Sequence, residues 1–250
     1  MSENLKKNLH PQTNEKELIR TYWQSRSRDF AILRSQELHS EKYQLWKQEI
    51  LALLPSGKTL KILDIGCGAG FFSILLNQCG HDTIGIDLTP EMITEAKELA
   101  KAEKATAEFM VMDAENLSFP ANSFDVVIAR NVTWNLPHPS RAYAEWTRVL
   151  KPGGLLLNFD AEYAKHHHDP LPKINAHAAV TEKQQEHCHK IYHMLEVSLY
   201  DRPKWDLQVL ENLGLEVTAD LEINSRIYPH KDWFYSPAPI FLIKARKNKC

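Results

Sequence analysis

Three aspartates, Asp64, Asp87 and Asp113, each close a short apolar segment, and a glycine-rich turn follows the first of them. Residues 60–64 (LKILD) read as a buried parallel strand, because such strands are nearly continuous apolar runs. The glycines of residues 66–70 (GCGAG) allow a tight turn and the close approach of a ligand to the main chain. A helix is predicted directly after them, and its first N–H groups would face that ligand. This order of strand, glycine turn and helix predicts a nucleotide-cofactor site.

The spacing of the glycines and carboxylates discriminates between cofactors. The turn reads G-x-G-x-G, one residue shorter than the dinucleotide fingerprint G-x-G-x-x-G. Asp64 stands two residues before the first glycine, where its charge would repel a diphosphate but not a ligand that carries an ammonium group. Asp87 lies 21 positions beyond Gly66, where nucleotide-binding α/β domains place a carboxylate that accepts hydrogen bonds from both ribose hydroxyls.

Apolar segments alternate with helical patterns along the rest of the chain. Thr89 with Pro90, and Thr181, are predicted to start two of the helices. The predicted strands cover residues 60–64, 82–87, 107–112, 123–129, 155–159, 215–228 and 239–246. The predicted helices after the first strand begin near residues 71, 90, 140, 181 and 205, and the helix that starts at Thr181 is predicted to reach Leu199.

Three segments carry patterns that are more specific than the glycines alone: 63–70 (LDIGCGAG), 113–127 (DAENLSFPANSFDVV) and 148–154 (RVLKPGG). They resemble the class I S-adenosyl-L-methionine-dependent methyltransferases, in particular the type 11-like subfamily of small-molecule methyltransferases. The resemblance covers about residues 55–160. It implies an α/β fold with a Rossmann-like doubly wound sheet, mostly parallel, whose antiparallel seventh strand lies between the fifth and sixth. It also implies N-terminal helices and a helical lid insertion after the fifth strand.

The resemblance implies S-adenosyl-L-methionine as the cofactor and S-adenosyl-L-homocysteine as its product. Asp64 would lie near the ammonium group, Asp87 would hold the ribose, and Asp113 would accept a hydrogen bond from the adenine amino group. An N-terminal Tyr-Trp segment would cover the cofactor. The implied cofactor-binding residues are Tyr22, Phe30, Asp64, Gly66, Cys67, Gly68, Gly70, Asp87, Leu88, Met92, Asp113, Ala114, Glu115 and Arg130.

The acceptor site has no obvious catalytic constellation. A sulfonium is already an activated methyl donor, so a general base is needed only if the acceptor is protonated. The chain lacks Asn-Pro-Pro-Tyr after the fourth strand, which counts against amino methylation of nucleobases or glutamine, and a small-molecule acceptor is the default. The acceptor candidates are Asn131, Trp134, His138, Asp160, Tyr163, His166, Trp233 and Tyr235.

The chain is predicted to form one methyltransferase domain, 18–250, after a polar flexible leader, 1–17. Within it we expect a helical cover at 18–54, with a break near Asp29 or Ser40, and a cofactor-binding core at 55–160. A helical lid or substrate cap at 161–204 and a C-terminal helix with strands six and seven at 205–250 would complete it.

The net charge of −2 gives no electrostatic reason to expect a nucleic-acid or anionic-membrane partner. No segment is apolar and long enough to span a bilayer, and the N-terminus has no signal-peptide core. The four cysteines show no regular spacing, which fits free thiols in a cytoplasmic protein. The sequence leaves the oligomeric state open.

Two alternatives remain open from the sequence. A nicotinamide-dependent oxidoreductase would share the strand and glycine turn. A non-catalytic metal-binding or sensing protein could use the histidine-rich segment, in which His189 and His193 are four residues apart on one helix face. We favour a polar substrate lid there, without a metal. The segment contains His166, His167, His168, His177, His187, His189 and His193.

Overall fold

The computed structural model describes residues 15–166, 168–169 and 180–249. Its strands are β1 (Lys61–Ile65), β2 (Asp82–Asp87), β3 (Glu108–Val111), β4 (Phe124–Arg130), β5 (Leu150–Asp160), β6 (Leu215–Asp220) and β7 (Phe241–Lys247). In the described part of the chain they form one sheet in the order β3-β2-β1-β4-β5-β7-β6. β1 to β5 pair in parallel, and β7 runs antiparallel between β5 and β6. The predicted fold class is confirmed.

Helices cover both faces of the sheet, because side chains alternate along each strand. Ile62 of β1 packs into a core with the second to fourth helices, whereas Leu63 and Ile65 pack into a core with the fifth and eighth. The helices are α1 (Glu15–Leu38), α2 (Glu41–Leu51), α3 (Phe71–Gln78), α4 (Pro90–Ala102), α5 (Pro139–Val149), α6 (Tyr163–His166), α7 (Glu182–Met194), α8 (Lys204–Asn212) and α9 (Ile223–Ile227). A single 3₁₀ turn, Thr133–Asn135, follows β4. Among the described residues, no helix is long and apolar enough to cross a membrane.

The strand order reverses between β1 and β4. From β1 the chain builds outward to β2 and β3 on one side, and from β4 to β5 on the other. Open α/β sheets form a ligand-binding crevice at the carboxyl ends of the strands at such a switch point. Asp64, Asp87 and Arg130 occupy the last two positions of β1, β2 and β4. The topology therefore brings these charged side chains to one edge of the sheet.

The N-terminal helices differ from the prediction at one end. α1 begins at Glu15, so the predicted leader was wrong for residues 15–17, and residues 1–14 lie outside the described residues. Of the two predicted breaks, Asp29 lies inside α1 and Ser40 is the real one. The Ser40 hydroxyl oxygen accepts a hydrogen bond from the Lys42 N–H at 3.2 Å, which starts α2.

Two C-terminal elements are shorter than predicted. β6 was expected to reach residue 228 but ends at Asp220. Asp220 pairs with Leu242, and β7 begins at Phe241, so almost no strand remains for β6 to pair with. The helix expected over 181–199 has Thr181 as its N-cap, as predicted, but α7 ends at Met194. Leu195 is extended there and buried, and it separates α7 from a short 3₁₀ helix.

Candidate active site

The turn after β1 requires glycine at the positions where the sequence has it. Gly66 and Gly68 have φ angles of +59° and +52°, in the region that side chains disfavour. A Cβ added to Gly66 would stand 2.6 Å from the Val132 Cγ2 atom, which is closer than packed carbon atoms approach. Backbone from residues 66–68 therefore lies directly against the segment after β4, and the two together form one wall of a crevice.

Asp64 lies behind this turn and is almost fully buried. Its carboxylate accepts hydrogen bonds from the Ser73 N–H at 3.0 Å and from the Ser73 hydroxyl at 2.6 Å. Burial raises the pKa of Asp64 to about 7, because the hydrogen bonds from Ser73 only partly offset the loss of hydration. The site thus holds a carboxylate that titrates near neutrality and that would ionise readily beside a cationic ligand group.

Asp87 braces the same turn from β2. One of its carboxylate oxygens accepts the Gly68 N–H at 3.0 Å, and the other accepts the Thr89 N–H at 2.9 Å. Burial raises the pKa of Asp87, although these main-chain hydrogen bonds oppose the increase. Asp87 therefore links the glycine turn to the start of α4 and keeps lone pairs available at the crevice.

Asp113 and Glu115 both form salt bridges with Lys16, a residue that was predicted to belong to the flexible leader. The Lys16 ammonium lies 2.6 Å from the Asp113 carboxylate and 2.6 Å from that of Glu115. Glu115 is fully buried and also accepts the His138 N–H at 2.7 Å. Its side chain thus lies behind the wall of the crevice and does not line it, although Glu115 was among the implied cofactor-binding residues.

A cavity of about 520 Å³ occupies the crevice. It brings together most of the predicted cofactor-binding residues, from four strand ends and α1. Those that line it are Tyr22, Phe30, Asp64, Gly66, Cys67, Gly68, Asp87, Leu88, Met92, Asp113, Ala114 and Arg130. Gly70 and Glu115 do not line it; Gly70 instead forms the N-cap of α3 with φ +88°.

One face of α1 covers this cavity. The residues of α1 that line it recur every three or four positions, as one helical face requires. They are Lys16, Ile19, Tyr22, Trp23, Arg26, Phe30 and Arg34. The sequence analysis predicted Tyr22 and Phe30 but missed Arg26 and Arg34. Adding four to each predicted position gives Arg26 and Arg34, so helical spacing could have found them.

A buried charge network lies under one end of the cavity and is centred on Glu37. Arg130 donates to the two Glu37 carboxylate oxygens at 3.1 and 2.7 Å, and Arg34 donates to the same carboxylate. The Trp46 indole N–H adds a hydrogen bond at 3.2 Å, and Arg130 also donates to the Tyr228 hydroxyl at 3.0 Å. Burial opposes ionisation of Glu37, but the charges of Arg130 and Arg34 outweigh it and leave its pKa lowered.

Four of the eight acceptor candidates line the cavity: Asn131, Trp134, Tyr163 and His166. Three rings surround Trp134, with centroids 6.4 Å away for Trp23, 5.2 Å for Tyr163 and 5.3 Å for Tyr192. Tyr192 belongs to α7, which contributes further residues to the lining. An aromatic end therefore lies between α1, the segment after β4 and α7.

The other four candidates, His138, Asp160, Trp233 and Tyr235, do not line the cavity. Asp160 is fully buried, where it accepts the Trp134 N–H at 2.9 Å and pairs with Arg202 at 3.1 Å. It holds the segment after β4 in place rather than facing a ligand. His138 is exposed at the start of α5.

The loop before β7 reaches the cavity with different residues from those predicted. Trp233 is 40% exposed, and Tyr235 packs under the Lys231 ammonium, 5.2 Å from its ring centroid. Their neighbours Phe234 and Ser236 line the cavity instead. The predicted loop therefore reaches the cavity, but Trp233 and Tyr235 do not line it.

The histidine-rich segment is only partly described, since His167 and His177 lie outside the described residues. His187 contacts the Leu18 carbonyl oxygen at 3.1 Å, and His166 contacts the Asp169 carboxylate at 2.7 Å. Within residues 15–166, 168–169 and 180–249, no three His, Cys, Asp or Glu side chains are grouped so that they could hold a metal ion.

Residues 63–158 match a family model described as a methyltransferase domain. The chain carries a methyltransferase domain. The matched range contains most of β1, the glycine turn, Asp87, Asp113 and the segment after β4, and α1, α7 and the loop before β7 complete the cavity from outside it. The match gives no support to the alternatives of a nicotinamide-dependent oxidoreductase or a non-catalytic metal-binding protein.

The methyltransferase domain is similar to a curated relative from Synechocystis sp., 2-methyl-6-phytyl-1,4-hydroquinone methyltransferase. The two are 41% identical over 111 residues, which cover 44% of this chain and 34% of the relative. The chain spans less than half of the length of the first curated relatives it matches.

Two solved structures show that the fold extends beyond the domain match. A SAM-dependent methyltransferase from Aquifex aeolicus superposes with a TM-score of 0.56 at 20% identity, over 80% of this chain and 88% of that one. Phosphoethanolamine N-methyltransferase 2 of Haemonchus contortus, solved with S-adenosyl-L-methionine, gives a TM-score of 0.64 at 19% identity, over 92% of this chain and 60% of that one.

Proposed function

We propose that this protein transfers a methyl group from S-adenosyl-L-methionine to a small-molecule acceptor by direct in-line displacement. The observation that carries this proposal is the convergence of Asp64, Asp87 and Asp113 with the glycine turn on one cavity of about 520 Å³. Ligand sites of this kind have volumes of roughly 300–1,000 Å³. The cavity can therefore hold a cofactor of this size and part of an acceptor.

The residues at the glycine turn fit the methionine end of the cofactor. Asp64 is buried, lines the cavity and forms no salt bridge with any lysine or arginine among the described residues. An ammonium group beside it would favour the charged form of the carboxylate. The main chain of Gly66 and Gly68 carries no side chain that would prevent close approach.

The other strand ends fit the adenosine. Asp87 can accept hydrogen bonds from a ribose diol while Gly68 and Thr89 hold it in position. Asp113 and the main chain of Ala114 line the next part of the cavity, with Met92 and Leu88 nearby. Their order along the sheet edge matches the order of methionine, ribose and adenine in the cofactor.

The remaining residues orient the acceptor and exclude water from it. The cofactor, when bound, supplies a methyl group on a sulfonium. Trp134, Tyr163 and Tyr192 enclose the acceptor end, and burial raises the pKa of both tyrosines, so they stay protonated and act as hydrogen-bond donors. Holding two reactants in line can contribute on the order of 7–11 kcal/mol to the lowering of a barrier.

The class of acceptor draws support from the relatives. One is named for a substituted hydroquinone and a structural neighbour for phosphoethanolamine, and both are small molecules. A small-molecule acceptor also agrees with the volume of the cavity. Cytoplasmic location and the absence of a nucleic-acid partner stay predictions from the sequence, as does the role of residues 161–204 as a substrate lid.

Replacement of Asp87 by alanine is expected to weaken S-adenosylhomocysteine binding by about 10–100-fold. The variant loses the charge-assisted hydrogen bonding to the ribose, for which we expect a net loss of roughly 1.5–3 kcal/mol, and it loosens the glycine turn. Isothermal titration calorimetry at pH 7.5 measures the change. Asp82→Ala is the matched control, because Asp82 begins the same strand and is exposed at its opposite end.

Thermal unfolding of the wild type in the presence of S-adenosylhomocysteine, S-adenosylmethionine or NAD tests the proposal directly. A ligand that binds only the folded protein raises the melting temperature. A rise with the two adenosyl compounds and none with NAD supports the proposal. Failure of both adenosyl compounds to bind would overturn it, and unchanged affinity in Asp87→Ala would remove Asp87 from the site.

A further inference from the structure

Arg26 is a buried cation that faces the cavity. Its residue is 5% exposed, and its side chain belongs to the lining contributed by α1. Its Nε atom has no hydrogen-bond partner, and no carboxylate among the described residues forms a salt bridge with it. Asp29, one helical turn further on, is exposed. Outside the described residues, positions 170–179 include no aspartate or glutamate, and positions 1–14 include one, Glu3.

Other deeply buried basic residues of the described chain do have carboxylate partners. Arg34 pairs with Glu37, Arg202 with Asp160 and Asp206, and Lys42 with Asp232. A buried charge without a counterion is strongly unfavourable, so proteins rarely leave one in place without a ligand to use it. Arg26 forms no such salt bridge among the described residues, and its side chain lines the cavity.

Arg26 lies at the acceptor end of that cavity, beside α7. Arg26 shares the cavity lining with Tyr22, one helical turn before it, and with Cys188 of α7. The Tyr22 ring packs against His187 of α7, with centroids 5.5 Å apart, and the charge of Arg26 lowers the pKa of Tyr22 and of Cys188 against the increase that burial imposes. Arg34 lies eight residues further along α1, about 12 Å away at 1.5 Å per residue.

Arg34 belongs to the glycine-turn end. Its guanidinium carbon lies 4.5 Å from the centroid of the Phe30 ring. That ring in turn would be 3.0 Å from a Cβ added to Gly68. The methionine part of the cofactor would therefore lie near Arg34 and the glycine turn. Arg26 would instead face the methyl acceptor.

We infer that the methyl acceptor carries an anionic group, a carboxylate or a phosphate, that pairs with the guanidinium of Arg26. This inference rests on the proposed function. A guanidinium presents several N–H donors in a planar fork that matches the oxygens of either group. The anion would compensate the buried charge of Arg26 and hold the nucleophilic atom at a fixed distance from it, among Trp134, Tyr163 and Tyr192.

The test uses two small anions as probes on the full chain saturated with S-adenosylhomocysteine. Inorganic phosphate or acetate is titrated against chloride at constant ionic strength, and the melting temperature is recorded. In the wild type we expect a saturable rise with at least one of the two anions. An effect of acetate alone indicates a carboxylate acceptor, and an effect of phosphate alone indicates a phosphorylated one.

Three variants assign the effect to Arg26. Arg26→Gln should weaken the anion response at least about tenfold, as expected for loss of a charge-assisted hydrogen bond. Arg26→Lys should keep part of the response, and it provides a second measurement if the glutamine variant fails to fold. Arg28→Gln should leave it unchanged, since the Arg28 side chain is 72% exposed and pairs with Glu95 on the surface.

S-adenosylhomocysteine affinity, measured for every variant, separates this inference from the proposed function. If the wild type does not bind S-adenosylhomocysteine, the proposed function and the inference about Arg26 are both overturned. If the wild type binds S-adenosylhomocysteine but responds to neither anion, only the inference about Arg26 is overturned. The same holds if Arg26→Gln keeps the anion response, or if it loses S-adenosylhomocysteine affinity tenfold, because Arg26 would then pair with the cofactor carboxylate.

Discussion

Replacement of Glu37 by glutamine should destabilise the folded protein by about 3–5 kcal/mol. Glu37 is fully buried and is the carboxylate shared by Arg34 and Arg130. A neutral amide would leave two buried guanidinium groups without their counterion, and their mutual repulsion would no longer be offset. The free energy of unfolding from urea denaturation, with the folded baseline checked by circular dichroism, measures this loss.

The control for this prediction lies on the same helix. Glu17 pairs with Arg20 three residues away, as Glu37 does with Arg34, but the Glu17 side chain is 53% exposed. Water and salt screen an exposed ion pair, so Glu17→Gln should change the free energy of unfolding little. If Glu37→Gln lost no more stability than Glu17→Gln, the buried network could not be an important source of stability.

The affinity for S-adenosylhomocysteine should fall about tenfold for each pH unit below about 7. Burial raises the pKa of Asp64 to about 7 in the ligand-free protein. The ligand ammonium favours the ionised carboxylate, so below this pH binding must first remove a proton from Asp64. Calorimetry from pH 5 to pH 8 would reveal an affinity that rises with pH and levels off above about 7.

Asp64→Asn separates Asp64 from other acids of the site. The variant should bind at least about tenfold more weakly at pH 7.5, because it loses a buried charge–charge interaction, and its affinity should vary less with pH on the acidic side. Burial raises the pKa of Asp87 as well, which adds a dependence of the same sign. An unaltered acidic slope in Asp64→Asn would assign the pH dependence to Asp87 and contradict this role of Asp64.

The cofactor half of the site was predictable because its information is local. A buried strand, its glycine turn and the next helix are contiguous, so Asp64, Gly66 and Gly68 could be placed from sequence alone. Parallel strands end at a common edge, which brings Asp87 and Asp113 to the same crevice without knowledge of side-chain packing. The position of the antiparallel seventh strand between the fifth and sixth came from the family resemblance.

The charged residues of the covering helix could not be predicted in the same way. Apolar periodicity treats Arg26, Arg34 and Glu37 as surface residues, yet all three are buried. Their burial depends on partners far along the chain; Arg130, for example, is 93 residues from Glu37. A helical period of 3.6 residues shows which side chains share one face of a helix. It does not show which side chains of a distant segment pack against that face.

Asp160 illustrates the opposite error. It stands at the carboxyl end of a parallel strand, where ligand contacts are common, and it was therefore taken as an acceptor candidate. Its partner Arg202 lies 42 residues later in the chain, and a distant partner of this kind cannot be read from local sequence. Asp160 therefore has a structural role: it pairs with Arg202 and holds the turn that contains Thr133 and Trp134 in place.

Helix α1 runs along the whole cavity, from Lys16 at Asp113 to Arg34 at the glycine turn, a span of about 27 Å. Because α1 covers the cavity, we expect cofactor exchange to require that α1 move away from the sheet edge, and such a step can limit turnover even when methyl transfer is fast. The Lys16–Asp113 salt bridge ties the start of α1 to the end of β3, so added salt should screen this pair and make the exchange faster.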